Sequence, residues 1–184
     1  RGYDHLHLEG YLVLNRELVE RSLAVARKTG MTVSLDLASY NVVEANLDFL
    51  KKICRDAVDV VFANEEEAQA FTGASDPQEA LGVLSSYCAT AVVKTGEKGS
   101  LIRHLGQTSH AGIIPVNCID TTGAGDLYAA GFLYGMTMGW HAADCGRQAP
   151  YWPGKWLKPP EPRLRKTAGS LSAKTCRDSE KSVH

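Results

Sequence analysis

No run of about 18 apolar residues occurs in this sequence, so no segment of it reads as a membrane-spanning helix. Net charge is just as scarce. The 20 Lys and Arg balance 21 Asp and Glu to leave −1, which excludes an overall pull toward nucleic acid or an anionic membrane. The five cysteines, at positions 54, 88, 118, 145 and 176, contain no C-x-x-C pair. Neither a zinc site nor a disulfide framework is indicated, and a reducing, cytoplasmic setting is expected. No charged-then-apolar leader is present. A methionine is also lacking at position 1. The chain opens on "YDHLHLEGYLVL", which reads as a strand already inside a fold, and a fragment of a longer protein is expected.

What is present is enough apolar material for a core, 44% of 184 residues, in a length that suits one domain or part of a larger one. Asn15 can cap a helix through Thr29, with Leu18, Ser22, Leu23 and Ala26 on one face and Gly30 as its stop. "MTVSLDL" (31–37) reads as a buried strand, and a helix is expected from Val43 to Arg55. "VDVVFAN" (58–64) is another strand. "EEEAQAFTG" is a short helix whose three acids suit the helix dipole at its first turn. Ser75, Asp76 and Pro77 start a further helix, and "TAVVKTG" is a strand. From Gly99 the pattern turns to hairpin-like pieces. Strands alternating with helices predict an α/β fold with a mostly parallel sheet. Ligands bind beyond the carboxyl ends of such strands, where Asp36, Asn64, Thr95 and the 120–126 loop fall in chain order. His5 and His7 could form a metal pair, but two polar faces of a strand end is the preferred reading.

The composition breaks after Arg147. Residues 148–184 hold five of the seven prolines, two of the three tryptophans, and eight Lys or Arg against three acids. With only four Leu, Ile or Val, this stretch cannot bury a core. A disordered basic tail is one reading; a nucleic-acid or membrane tether is disfavoured because the charges share no face. A third reading is genetic. Shifted by one base, the Tyr151–Trp152 junction encodes Leu and Trp152–Pro153 encodes Ala. Permitted codon choices then give a helix, a strand and a second helix start. A single-base deletion near codon 147 is therefore expected.

The stretch "IDTTGAGDLYAAG" (119–131) carries the chemistry. Amides around Gly123, Ala124, Gly125 and Asp126 would line a concavity, and the helix behind it adds positive potential. Such a hole suits a phosphoryl group in flight. A carboxylate beside it can take a proton from an attacking hydroxyl. Taken alone, the loop reads more readily as an ordinary turn with an acid in the first turn of a helix. A dinucleotide fingerprint fails because Tyr128 stands where the third glycine belongs, and no Walker A lysine motif is present.

Three segments together resemble the ribokinase (PfkB) family of sugar and nucleoside kinases. "DTTGAGDLYAAGFLYG" (120–135) is similar to its carboxyl-terminal signature, "NEEEAQAF" (64–71) to its N-x-x-E motif, and "VVKTGEKGSLI" (92–102) to its nucleotide loop. They occur in the family's order, and the style of "SLDLASYNVVE" leans toward the adenosine-kinase-like branch. The resemblance implies a ribokinase-like three-layer α/β fold with a mostly parallel sheet, truncated at its amino end. It implies ATP and Mg2+ as cofactors, with K+ as a further cation, and a small sugar or nucleoside as partner, with no nucleic acid and no membrane.

Carried onto this chain, the resemblance makes Asp126 the catalytic base and the amides of Gly123, Ala124 and Gly125 the anion hole. Asn64 and Glu67 hold the magnesium shell. Thr95, Gly96 and Gly99 line the nucleotide phosphates, and Asp120 and Thr122 take the monovalent cation. Asn64 could equally cap the helix after it. Lys94 and Lys98 read as surface charges, at best helpers. Residues 1–147 would be the carboxyl-terminal part of a kinase domain and 148–184 a tail. The family's amino-terminal half, with its acceptor residues and the lid strands through which a parent could dimerise, is not recognisable here. Little or no activity is expected of this chain by itself. The alternatives are a non-catalytic nucleotide-binding or interaction module and, more distantly, a dinucleotide-dependent oxidoreductase.

Overall fold

The computed structural model describes residues 2–113 and 123–150. β1 (His5–Glu9) leads through a short 3-10 turn to α1 (Arg16–Thr29), then β2 (Thr32–Asp36), α2 (Tyr40–Ala45) and α3 (Leu47–Ala57). β3 (Val60–Asn64), α4 (Glu65–Thr72), α5 (Pro77–Leu84) and β4 (Thr90–Lys94) follow. The hairpin β5 (Ser100–His104) and β6 (Gln107–Ala111) precedes α6 (Ala124–Thr137) and α7 (Ala142–Gln148). Among the described residues six strands lie in chain order in one sheet. β1 to β4 pair in parallel, whereas β4, β5 and β6 pair antiparallel. The expected mostly parallel α/β sheet is what forms.

Alternation along the strands divides the apolar residues between two cores. Val61, Ala63, Ala91, Val93 and Leu101 pack with residues of α1, α3, α4 and α5 on one side. Val60, Phe62, Val92 and Ile102 pack with Tyr128, Ala129 and Phe132 of α6 and Cys145 of α7 on the other. Strands buried on both faces read as nearly continuous apolar runs, which is why "VVFA" and "AVV" carry no polar alternation. The result is three layers, with the sheet between two sets of helices.

The punctuation residues behave as their chemistry dictates. Asn15 accepts the Leu18 amide at 3.1 Å, and Gly30 ends α1 in the left-handed region at φ 70. Asp76 accepts from the amides of Gln78 and Glu79, with Pro77 at the first helical position of α5.

Several local expectations need correction. The buried stripe of α1 is Val19, Leu23 and Ala26, while Leu18 is 46% exposed, so the face is turned by one position. The helix expected from Val43 to Arg55 is two helices. Asn46 breaks it, its side-chain Nδ2 donating to the Val42 carbonyl at 3.0 Å while its own carbonyl accepts from Leu50. That is the competition with the helix ladder that asparagine offers. His5 and His7 lie on one face of β1 rather than two. Each places a ring nitrogen near Ser34 Oγ, at 2.8 and 2.7 Å. Among the described residues no group of three metal-binding side chains forms. α7 was not expected. The proposed tail is described only as far as residue 150.

Candidate active site

Parallel pairing aligns the carboxyl ends of β2, β3 and β4 along one edge. Asp36 closes β2, and Asn64 and Lys94 are register partners at the ends of β3 and β4. The amino terminus of α6 arrives at the same edge: a Cβ built on Gly125 would lie 3.2 Å from Lys94 Nζ. The structure thus gathers Asp36, the Asn64–Glu67 pair, Lys94 with Thr95, and the start of α6 from four separate stretches of the sequence.

α6 begins without a side-chain cap. Gly123 occupies the N-cap position in the left-handed region, and its carbonyl accepts the Leu127 amide at 2.9 Å. The amides of Ala124, Gly125 and Asp126 have no acceptor inside the helix. Asp126 sits in this first turn and is exposed. The helix itself is firmly seated. Tyr128 Oη and Ser100 Oγ are 2.6 Å apart in a buried hydrogen bond, and burial pushes the phenol up to about 12. Phe132 meets Phe62 edge-on at 5.4 Å. The carboxylate at position 126 is therefore carried by a helix locked to the sheet two and six residues further on.

Asn64 and Glu67 form a full capping box at the start of α4. The Asn64 amide and its Nδ2 each donate to one Glu67 carboxylate oxygen at 2.8 Å, and the Glu67 amide donates to Asn64 Oδ1 at 2.8 Å. Glu67 is buried. Burial raises its pKa; the hydrogen bond from the Asn64 backbone and the charge of Lys94 oppose that rise, while Asp36 adds to it. The capping reading of Asn64 therefore holds, whatever else the pair does.

Thr95 is buried and commits both of its donors to the turn that follows it: its amide and its hydroxyl donate to the Gly99 carbonyl at 2.8 and 3.0 Å. Gly99 stands at φ +93, where a Cβ would fall 2.0 Å from the Ala111 carbonyl oxygen, so only glycine fits. Gly96 and Lys98 are exposed on the turn between them. Asp120 and Thr122 lie outside the described residues.

Lys94 is the residue that sequence reading undervalued. It is no surface charge: its side chain is 17% exposed and its Nζ lies 2.7 Å from Asp36 Oδ2, whose own side chain is 6% exposed. Asp36 Oδ1 also accepts the Ala38 amide at 3.2 Å. The signal in the sequence was a single lysine ending an otherwise apolar strand, and a single acid ending another.

The sequence profile of the pfkB family carbohydrate kinases matches residues 2–151. A cytidine kinase of Thermococcus kodakarensis is 38% identical over 104 residues, covering 54% of this chain and 37% of that protein. A probable sugar kinase from Rhizobium etli superposes with a TM-score of 0.79 at 31% identity, over 84% of this chain and 48% of that one. The adenosine kinase of Sinorhizobium meliloti gives a TM-score of 0.79 at 29% identity, over 86% of this chain and 51% of that one. The chain thus spans half or less of the length of each of the first two relatives and about half of the third.

Proposed function

The chain belongs to the pfkB family of carbohydrate kinases, and from that premise we propose that its full-length gene product transfers the γ-phosphoryl group of ATP to a hydroxyl of a sugar or nucleoside. The observation that carries the reading is a helix amino terminus without a side-chain cap, bearing a carboxylate in its first turn, at the shared carboxyl edge of β2, β3 and β4. The acceptor oxygen bonds to the γ-phosphorus as the bond to the bridging oxygen of ADP breaks. Asp126 takes the acceptor's proton. The amides of Gly123, Ala124 and Gly125 hold the charge on the phosphoryl oxygens.

The residues present fit magnesium through its water shell. Both Glu67 oxygens already accept hydrogen bonds from Asn64, and their remaining lone pairs suit metal-bound water, which this ion keeps. When bound, magnesium neutralises charge on the β- and γ-phosphoryl oxygens. The turn of Thr95, Gly96 and Gly99 lines the nucleotide phosphates with main chain, its threonine hydroxyl being taken by Gly99. Asp120 and Thr122 are proposed for a monovalent cation.

The test is transfer of label from ATP carrying it in the γ-phosphoryl group. The full-length gene product and the 184-residue chain are incubated side by side with magnesium and a panel of sugars and nucleosides. We expect a phosphorylated acceptor from the first and little or none from the second. Nucleotide binding without transfer to any acceptor would instead make this a nucleotide-binding module and overturn the kinase reading.

A further inference from the structure

The Asp36–Lys94 pair, its carboxylate buried and its lysine partly so, stands where an ion pair has little reason to be. A buried pair at best offsets the cost of removing two charges from water, and apolar residues of similar size often serve stability as well or better. This pair also places its ammonium against Gly125, in the first turn of α6. There the helix presents roughly half a positive charge and its unpaired amides. A lysine is favoured at the opposite end of a helix. Asp36 pairs with the ammonium, and although Asp126 in the same first turn and the nearby Glu67 add negative charge, the first-turn amides of α6 have no side-chain cap. An ammonium has three donors, and among the described residues Asp36 is its one hydrogen-bond partner. Two positive groups brought this close, with donors to spare, make a cradle for an anion with several charged oxygens.

We propose that Lys94 is a phosphoryl-binding residue, one wall of the anion hole whose other wall is the first turn of α6, with Asp36 as its positioning residue. The proposal rests on the phosphotransfer reading above and adds to it a side chain that the three sequence motifs do not assign. It also explains Gly125 beyond backbone freedom. A methyl group there would press on the ammonium at 3.2 Å, tighter than ordinary contact. Glycine lets the lysine lie against the helix end.

The test is calorimetric titration of the full-length gene product with Mg·ATP and with Mg·ADP. Lys94→Met is expected to lower affinity for Mg·ATP by roughly tenfold or more, the value of a lost charge-assisted hydrogen bond, and to leave Mg·ADP within about twofold. The double variant Asp36→Asn/Lys94→Met removes both charges and so guards against misfolding from an unpaired buried carboxylate. It should fold and show the same ATP-specific loss. Asp36→Asn alone should fall between. A general structural role would weaken both nucleotides equally. Equal weakening, or an ATP preference kept in both methionine variants, overturns the proposal and leaves the phosphotransfer reading standing. A wild-type protein that binds neither nucleotide overturns both.

Discussion

Replacing Phe132 by Ala tests whether α6 is held to the sheet as the structure shows. Phe132 is fully buried, meets Phe62 edge-on at 5.4 Å and lies alongside Tyr128 at 6.3 Å. Truncating a buried phenylalanine costs about 3–5 kcal/mol through lost transfer energy and the cavity left behind. Each aromatic contact adds roughly 0.5–1.5 kcal/mol of geometry-specific attraction, so the upper half of that range is expected here. Against a typical total stability of about 5–15 kcal/mol, the change is large but survivable. Urea unfolding followed by circular dichroism reads it directly. With a slope of about 2 kcal/mol per molar, the midpoint should fall by roughly 2 M. Leu18→Ala, at a position 46% exposed, serves as the control and should shift stability by less than about 0.5 kcal/mol. A Phe132→Ala loss below about 1.5 kcal/mol, or a Leu18→Ala loss matching it, would refute the assigned packing.

Three further outcomes are expected. Gly99→Ala should destabilise by at least about 2 kcal/mol, because it combines positive φ with a carbonyl clash; an unchanged thermal midpoint would mean the turn is built differently. Asp76→Ala should cost about 1 kcal/mol in urea unfolding by removing the cap of α5, and a neutral result would discount the two hydrogen bonds assigned to it. Burial, then the neighbouring charge of His7, lowers His5 from its ordinary 6.5. The unfolded chain therefore binds the proton first as pH falls, so His5 favours the folded state above 6.5 and loses that contribution as pH drops through its lowered value. Thermal unfolding from pH 8 to 5 should show a shallower slope for His5→Gln than for the wild type, and parallel curves would contradict the assignment.

Much of this architecture was legible because short-range chemistry decides it. Asn15, Asp76, Gly30 and Gly73 cap or stop their helices by bonds spanning a few residues, and doubly buried strands announce themselves as apolar runs. The sequence order of strands and helices placed Asp36, Asn64 and Thr95 at strand ends. What stayed hidden depends on separation or on phase. The Lys94–Asp36 pair joins residues 58 apart, and nothing local marks either as the other's partner. His5 and His7 share Ser34 across a strand pairing that the sequence does not register. Val19 and Leu18 differ by one step of helical phase, and both are apolar, so only the sheet beneath decides between them. Asn46 broke a helix whose apolar spacing continues through it.

The most direct measurement is the turnover of Asp126→Asn in the full-length gene product, set beside its affinity for Mg·ATP. A general base contributes a factor of about a hundred or more. Phosphoryl transfer to the acceptor should therefore fall roughly a hundredfold, with ATP affinity held within about twofold. A variant that keeps wild-type turnover would show that the carboxylate at the head of α6 is not the base, and would contradict the account at its centre.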